Sequence, residues 1–262
     1  MTAPDSPERA LRSILALAQG GADAAEEALA PSVGTWLASP AQGITASIDF
    51  VSGIEPTVAA LFDLAPCTLT VMGAVVTPTA TWTEVGRRAG GVEETCVVGL
   101  SHDARGLVTR LVWFRAPAVP TSDLAADADS PYGRPRIERY FAALVASDFP
   151  AAAAHFTVDT IYSHPPYGGR PDRALFRGRD ALLDGLVHQR GSNPVRQVIT
   201  GFWQERARIF VEGVVEGIPN GGTFVATAEM ATEGEIARYV AFYTSRRIPP
   251  ENEAAQPEVR TR

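Results

Sequence analysis

The chain has 262 residues, 45% hydrophobic and 20% charged, enough apolar material for one large folded domain or two of ordinary size. A net charge of -7 and a sequence pI near 5.2 oppose a nucleic-acid partner, which needs clustered positive charge. All 23 basic residues are arginine, so chemistry that needs a lysine Schiff base or a phosphate-loop lysine is excluded.

The opening MTAPDSPERA is polar, without the apolar stretch of a signal peptide, and no apolar run is long enough to span a membrane, so a cytoplasmic protein with no membrane partner is expected. Cys67 and Cys96 have neither the number nor the spacing of a disulfide framework or zinc site. They read as buried thiols, and no metal and no cofactor are expected.

Residues 8–116 read as a first domain. The stretch from Ala116 to Pro135 is rich in Pro, Ala, Asp and Ser and lacks apolar periodicity, which marks 117–131 as a linker. A second domain spans 132–247, and 248–262 has the composition of a mobile tail. Within 132–247, Ile137, Tyr140, Phe141, Leu144 and Val145 have the spacing of an amphipathic helix over 136–147. A short helix over 150–156 follows, then a strand over 157–164 that Pro165-Pro166 ends, and a third helix over 179–189. Four strand-like segments, 195–204, 207–217, 223–231 and 235–245, complete the order as an antiparallel meander.

The halves repeat one another. Asp23 matches Asp148, Pro40 matches Pro165 and Gly53 matches Gly178 at an offset of 125, and Gly106, Arg110, Val112 and Phe114 match Gly234, Arg238, Val240 and Phe242 at 128. The step between offsets belongs in a hairpin loop such as 218–222. The order of elements predicts an α+β fold of two tandem cone-shaped domains, each a bent antiparallel sheet wrapped on about three helices, with an open-ended apolar cavity.

That order, with Arg139-Tyr140, Asp148 and His164-Pro165 at ungapped spacing and Gly178-Arg179 before the third helix, resembles the nuclear transport factor 2-like superfamily, within it the ketosteroid isomerases and SnoaL-type polyketide cyclases. The resemblance covers 131–247 well and 10–116 more weakly. It implies that Tyr140 donates a hydrogen bond to a developing enolate oxygen and that His164, in place of the family's carboxylate, shuttles the proton. The family's protonated acid falls at Ala226, so half of the oxyanion stabilisation of a steroid isomerase is missing. In the first half the same positions are Leu15 and Ser39, which makes that copy degenerate and leaves one active pocket.

Strand parity extends the pocket, because residues two apart share a face. Tyr162 thus accompanies His164; the resemblance implies cavity residues five, seven and nine after the hairpin Gly234, here Tyr239, Ala241 and Tyr243, with Phe224, Ala226 and Ala228 on the strand before, and Trp203 with Gln204 either closes the mouth or packs. Such an aromatic, sparsely polar cavity suits a small hydrophobic molecule, polyketide- or terpenoid-like. His155 and His188 read as structural or exposed, Glu212 and Glu216 as a solvated sheet face, and Arg110 and Arg238 as outer-face residues at an interface between copies. The expected function is a cofactor-independent lyase, isomerase or cyclase; the alternative is a non-catalytic binding or assembly module. The expected assembly is an intramolecular pseudo-dimer, with a further homodimer left open.

Overall fold

In a computed structural model, residues 7–21, 25–39, 46–122, 130, 132–167, 170, 172–192, 195–217 and 222–249 are described. Pro40, the loop 218–221, most of the linker and the tail beyond 249 lie outside them, as does Asp23. The described residues fall into two compact units, the first drawn from 1–37, 49–114 and 248–262, the second from 38–48 and 115–247.

The first unit runs α1 (Pro7–Ala18), α2 (Ala25–Ala28), β1 (Leu29–Ala38), β2 (Ile48–Ser52), α3 (Ile54–Phe62), β3 (Thr68–Val76), β4 (Ala80–Ala89), β5 (Val92–His102) and β6 (Val108–Pro117). The second repeats that order as α4 (Gly133–Val145), α5 (Phe149–Ala153), β7 (Phe156–His164), β8 (Ala174–Arg177), α6 (Arg179–Gly185), β9 (Arg196–Glu205), β10 (Arg208–Glu216), β11 (Thr223–Met230) and β12 (Ile236–Tyr243). The sheets have the same strand order, β2-β1-β6-β5-β4-β3 and β8-β7-β12-β11-β10-β9. Residues matched in the sequence do the same work in both. Gly53 and Gly178 precede α3 and α6 with φ of 94° and 90°, and Gly106 and Gly234 turn the last hairpins with φ of 82° and 78°, a region costly for any residue with a Cβ. The chain is two tandem α+β domains.

The sheets are mixed, not purely antiparallel as the sequence suggested. β1 runs parallel to β6 and β7 parallel to β12, because the chain reaches these neighbours through a long crossover and not through a hairpin. A further strand, β8, extends the edge beside β7. The third helix is shorter than expected, its last residues forming a π-helical turn, Leu186–Arg190.

In the second unit α4 buries Ile137, Tyr140, Phe141 and Leu144, one helical stripe, against the concave face of the sheet. Asp148 caps α5 by accepting from the Ala151 amide at 3.0 Å. Parity along β11 and β12 puts Phe224, Ala226, Ala228, Tyr239, Ala241 and Tyr243 into the same core. Arg238 faces the other way, giving its Nε to Pro120 O at 2.7 Å and pairing with Glu229; Arg110 likewise gives its Nε to Pro249 O at 3.0 Å. Leu15 is a core residue of α1 in the first unit, and Ser39 follows β1.

Gly213 on β10 sits opposite Phe224, and a Cβ there would strike Val198 O and the Phe224 ring. Gly213→Ala is therefore expected to lower the unfolding free energy by roughly 1–3 kcal/mol. Urea denaturation measures it, and an unchanged midpoint would contradict the strand pairing described for this sheet.

Candidate active site

The core of the second unit is lined with phenols. The Tyr140 hydroxyl lies 2.9 Å from that of Tyr162, and Tyr162 lies 2.9 Å from that of Tyr167, so three side chains from α4, β7 and the segment after it form one hydrogen-bonded chain. Edge-on contacts of Tyr140 with Phe156 and Tyr239, centroids 4.9 and 5.7 Å apart, hold its ring. Tyr140 and Tyr162 are 1% exposed, Tyr167, His164 and Tyr243 7% and Phe176 8%, and because Ala174 and Phe176 also line a surface cleft we take this side as the open end of the core.

At that end the His164 ring stacks on Tyr167, centroids 4.2 Å apart, and meets Tyr243 edge-on at 4.9 Å. His164 Nδ1 is 2.7 Å from Pro165 O. A carbonyl can only accept, so Nδ1 carries the proton and Nε2 the lone pair. The proton count of the phenol chain is equally restrictive. Two contacts use two of three hydroxyl protons, and the arrangement that strands none in the core runs Tyr140 to Tyr162 to Tyr167, with the Tyr167 proton free at the open end. Tyr140, expected from the sequence to face the substrate oxygen, is occupied by Tyr162. The phenol beside His164 is Tyr167, which the sequence reading did not select.

Burial dominates the electrostatics. It pushes the phenols of Tyr140, Tyr162, Tyr167, Tyr239 and Tyr243 above their ordinary range, so all are neutral donors at neutral pH. Burial, opposed by the Pro165 hydrogen bond and aided by the charges of Arg173 and Arg190, brings His164 down to about 3. Arg173 falls to about 9 by burial and stays cationic at neutral pH; it donates to Ser163 Oγ at 2.7 Å and to Ala241 O, and covers the Phe242 ring. Next to this end, Arg170, residues 172–176 and Gln189 line a half-open cleft of about 250 Å³, into which Ala174 and Phe176, the register partners of His164 and Tyr162, extend the site.

The other residues singled out in the sequence separate cleanly. Phe224, Ala226, Tyr239 and Tyr243 lie on the core face with Tyr162. Trp203 does not. It pairs with Phe210 on the opposite face, while its neighbour Phe202 pairs with Val211 and packs on the core, so closure of the mouth by Trp203 is corrected. The cause is a bulge in β9, where Gly201 faces Glu212 but Ile199 faces Gly213, which inverts parity at Thr200. His155 accepts from Arg136 at 3.3 Å and His188 sits beside Asp184, both away from this cluster. Glu216 pairs with Arg196 on the surface, and Glu212 is buried on the outer face, not solvated. Among the described residues no group of three His, Cys, Asp or Glu side chains is placed to hold a metal ion, and no helix is long and apolar enough to cross a membrane.

Residues 137–246 match the SnoaL-like domain family. The second unit is a SnoaL-like domain of the nuclear transport factor 2-like type. Among solved structures, this chain is similar to an NTF-2 like protein of unknown function from Burkholderia xenovorans, at 18% identity over 48% of this chain and 92% of that one, TM-score 0.37. It is also similar to a putative ketosteroid isomerase from Kribbella flavida (18% identity, 49% and 90% covered, TM-score 0.36) and to a putative polyketide cyclase from Sinorhizobium meliloti (20% identity, 41% and 93% covered, TM-score 0.34). No curated protein matches.

The depressed His164 value makes acid stability a test of the site. A neutral imidazole in the fold and an ordinary one in the unfolded chain mean that the unfolded state binds more protons between pH 6.5 and about 3. Stability contributed by His164 is complete above 6.5 and lost as pH falls, by at most about 1.4 kcal/mol per pH unit. His164→Gln is expected to flatten the fall of denaturation midpoint over that window, with His155 and His102, also lowered by burial, leaving a residual slope. An unchanged slope in the variant would place His164 in water.

Proposed function

We propose that the SnoaL-like domain is a cofactor-independent isomerase, lyase or cyclase for a small hydrophobic carbonyl compound, with His164 as proton acceptor and Tyr167 as the donor to the substrate oxygen. The observation that supports this reading is the pairing at the open end of the core: a lone pair on His164 Nε2 beside a phenol whose proton has no partner within the chain Tyr140–Tyr162–Tyr167.

The step is a proton transfer. Nε2 takes a proton from the carbon next to the carbonyl, the electron pair moves to the carbonyl oxygen, and the Tyr167 hydroxyl holds the resulting enolate. Tyr140 and Tyr162 polarise Tyr167 from behind, which makes them positioning residues. Taken alone, an imidazole near 3 is a weak base. The enolate changes this, because a negative charge formed beside the imidazole favours its protonated form, and the same charge is stabilised by Arg173 and Arg190. Return of the proton to another carbon gives double-bond migration. Loss of a neighbouring hydroxyl, which takes the proton from His164 and leaves as water, gives dehydration, and attack of the enolate on a second carbonyl, whose oxygen takes that proton, gives ring closure.

A second reading is capture of the same class of molecule without turnover. It is favoured by the low basicity of His164, which serves as a neutral hydrogen-bond acceptor without any proton transfer. Deuterium uptake next to the carbonyl of 2-tetralone, followed by NMR, separates the two. For the enzyme, His164→Ala is expected to slow uptake about 10²- to 10⁴-fold. Tyr167→Phe should slow it about 10²- to 10³-fold, and Tyr140→Phe by less because it leaves Tyr167 in place. Wild-type uptake no faster than in buffer, with 2-tetralone bound, would establish the binding module instead.

A further inference from the structure

Gln197 on β9 belongs to neither the phenol chain nor the imidazole, yet the register brings it to the same place. It pairs with Val215, a core residue, so its side chain lies on the core side of the sheet. Its Nε2 donates to the Tyr243 hydroxyl at 3.1 Å, and Tyr243 is the ring that meets His164 edge-on. The amide's other end, Oε1, is buried with no hydrogen-bond partner. A buried carbonyl in that state has given up water and received nothing in exchange. Turning the amide over does not cure this, since Oε1 would then accept the Tyr243 proton and the NH₂ group would be left unpaired. In the orientation observed, Tyr243 accepts from Gln197 and keeps its own proton for another acceptor. The pair therefore offers one acceptor and one donor, a short distance from His164.

We infer that Gln197 and Tyr243 form a second polar subsite that takes a hydroxyl or enol group of the substrate, while His164 and Tyr167 hold the reacting carbonyl. A hydroxyl both donates and accepts, so it satisfies Oε1 of Gln197 and the Tyr243 proton together. The substrate class follows: a flat apolar compound with two separated oxygen functions, a hydroxylated ketone or polyhydroxy aromatic, in preference to one with a single oxygen. This inference rests on the open end of the core being the ligand site.

Fluorescence titration of the full chain with 2-naphthol and with the dihydroxynaphthalene isomers tests it. Wild type is expected to bind at least one dihydroxy isomer about 3- to 10-fold more tightly than 2-naphthol, the worth of a neutral hydrogen bond. Gln197→Leu and the longer Gln197→Met should bring that ratio to near one, and Tyr243→Phe should reduce it. His164→Ala should weaken every compound and keep the ratio. A ratio unchanged by both Gln197 variants, or no preference in wild type, overturns the second subsite alone. Binding of no naphthol to wild type, or binding indifferent to His164→Ala, removes the ligand site itself and the proposed function with it.

Discussion

A phenol hydroxyl buried in an apolar core must find a partner, because leaving it unpaired costs about 1–3 kcal/mol, a large share of the stability of an ordinary domain. The second unit buries five tyrosines, and this constraint orders its interior. Tyr140 on the helix is tied to Tyr162 on the sheet, and Tyr162 to Tyr167 beyond it, so the bond that satisfies α4 also fixes the segment after β7. The last proton of the chain emerges where exposure rises and where His164 stands. The open end is the place where the hydroxyl chain Tyr140–Tyr162–Tyr167 runs out of phenol partners.

Charge follows from the same burial. The groups whose ionisation shifts within the cluster are phenols held neutral, an imidazole held neutral and Arg173, which stays cationic. Such an environment disfavours a resting imidazolium and a phenolate alike, and the charges of Arg173 and Arg190 are what act in favour of a negative charge.

The first unit shows the same fold built around a different core. It has the same elements in the same sheet order, and its glycines before α3 and in the last hairpin adopt the same positive φ values as their counterparts. Its core, however, is aliphatic at the matching place, with Leu15 on α1 where the second unit has Tyr140. The matching helix position carries no phenol; in this unit the buried hydroxyls of Thr35 and Thr57 pair with one another, 2.9 Å apart.

The sequence by itself determined the tandem organisation, the helix stripe of Tyr140 and the inward faces of β11 and β12, because each depends on local spacing: matched glycines, a 3.6-residue period, a two-residue period uninterrupted from Phe224 to Ala228 and from Tyr239 to Tyr243. Only the tertiary structure decided the rest. The parallel pairing of β7 with β12 joins segments far apart in the chain, and β8, four residues long, has too little pattern to be seen. Trp203 and Gln197 are six residues apart and share a face by simple counting; the bulge at Thr200 turns Trp203 outward and Gln197 into the core, a register fact fixed by β10 and not by β9. Tyr167 lies in an irregular stretch after Pro165-Pro166, where no period exists to read. What selects it is the hydroxyl of Tyr162, a partner that only folding brings within 2.9 Å.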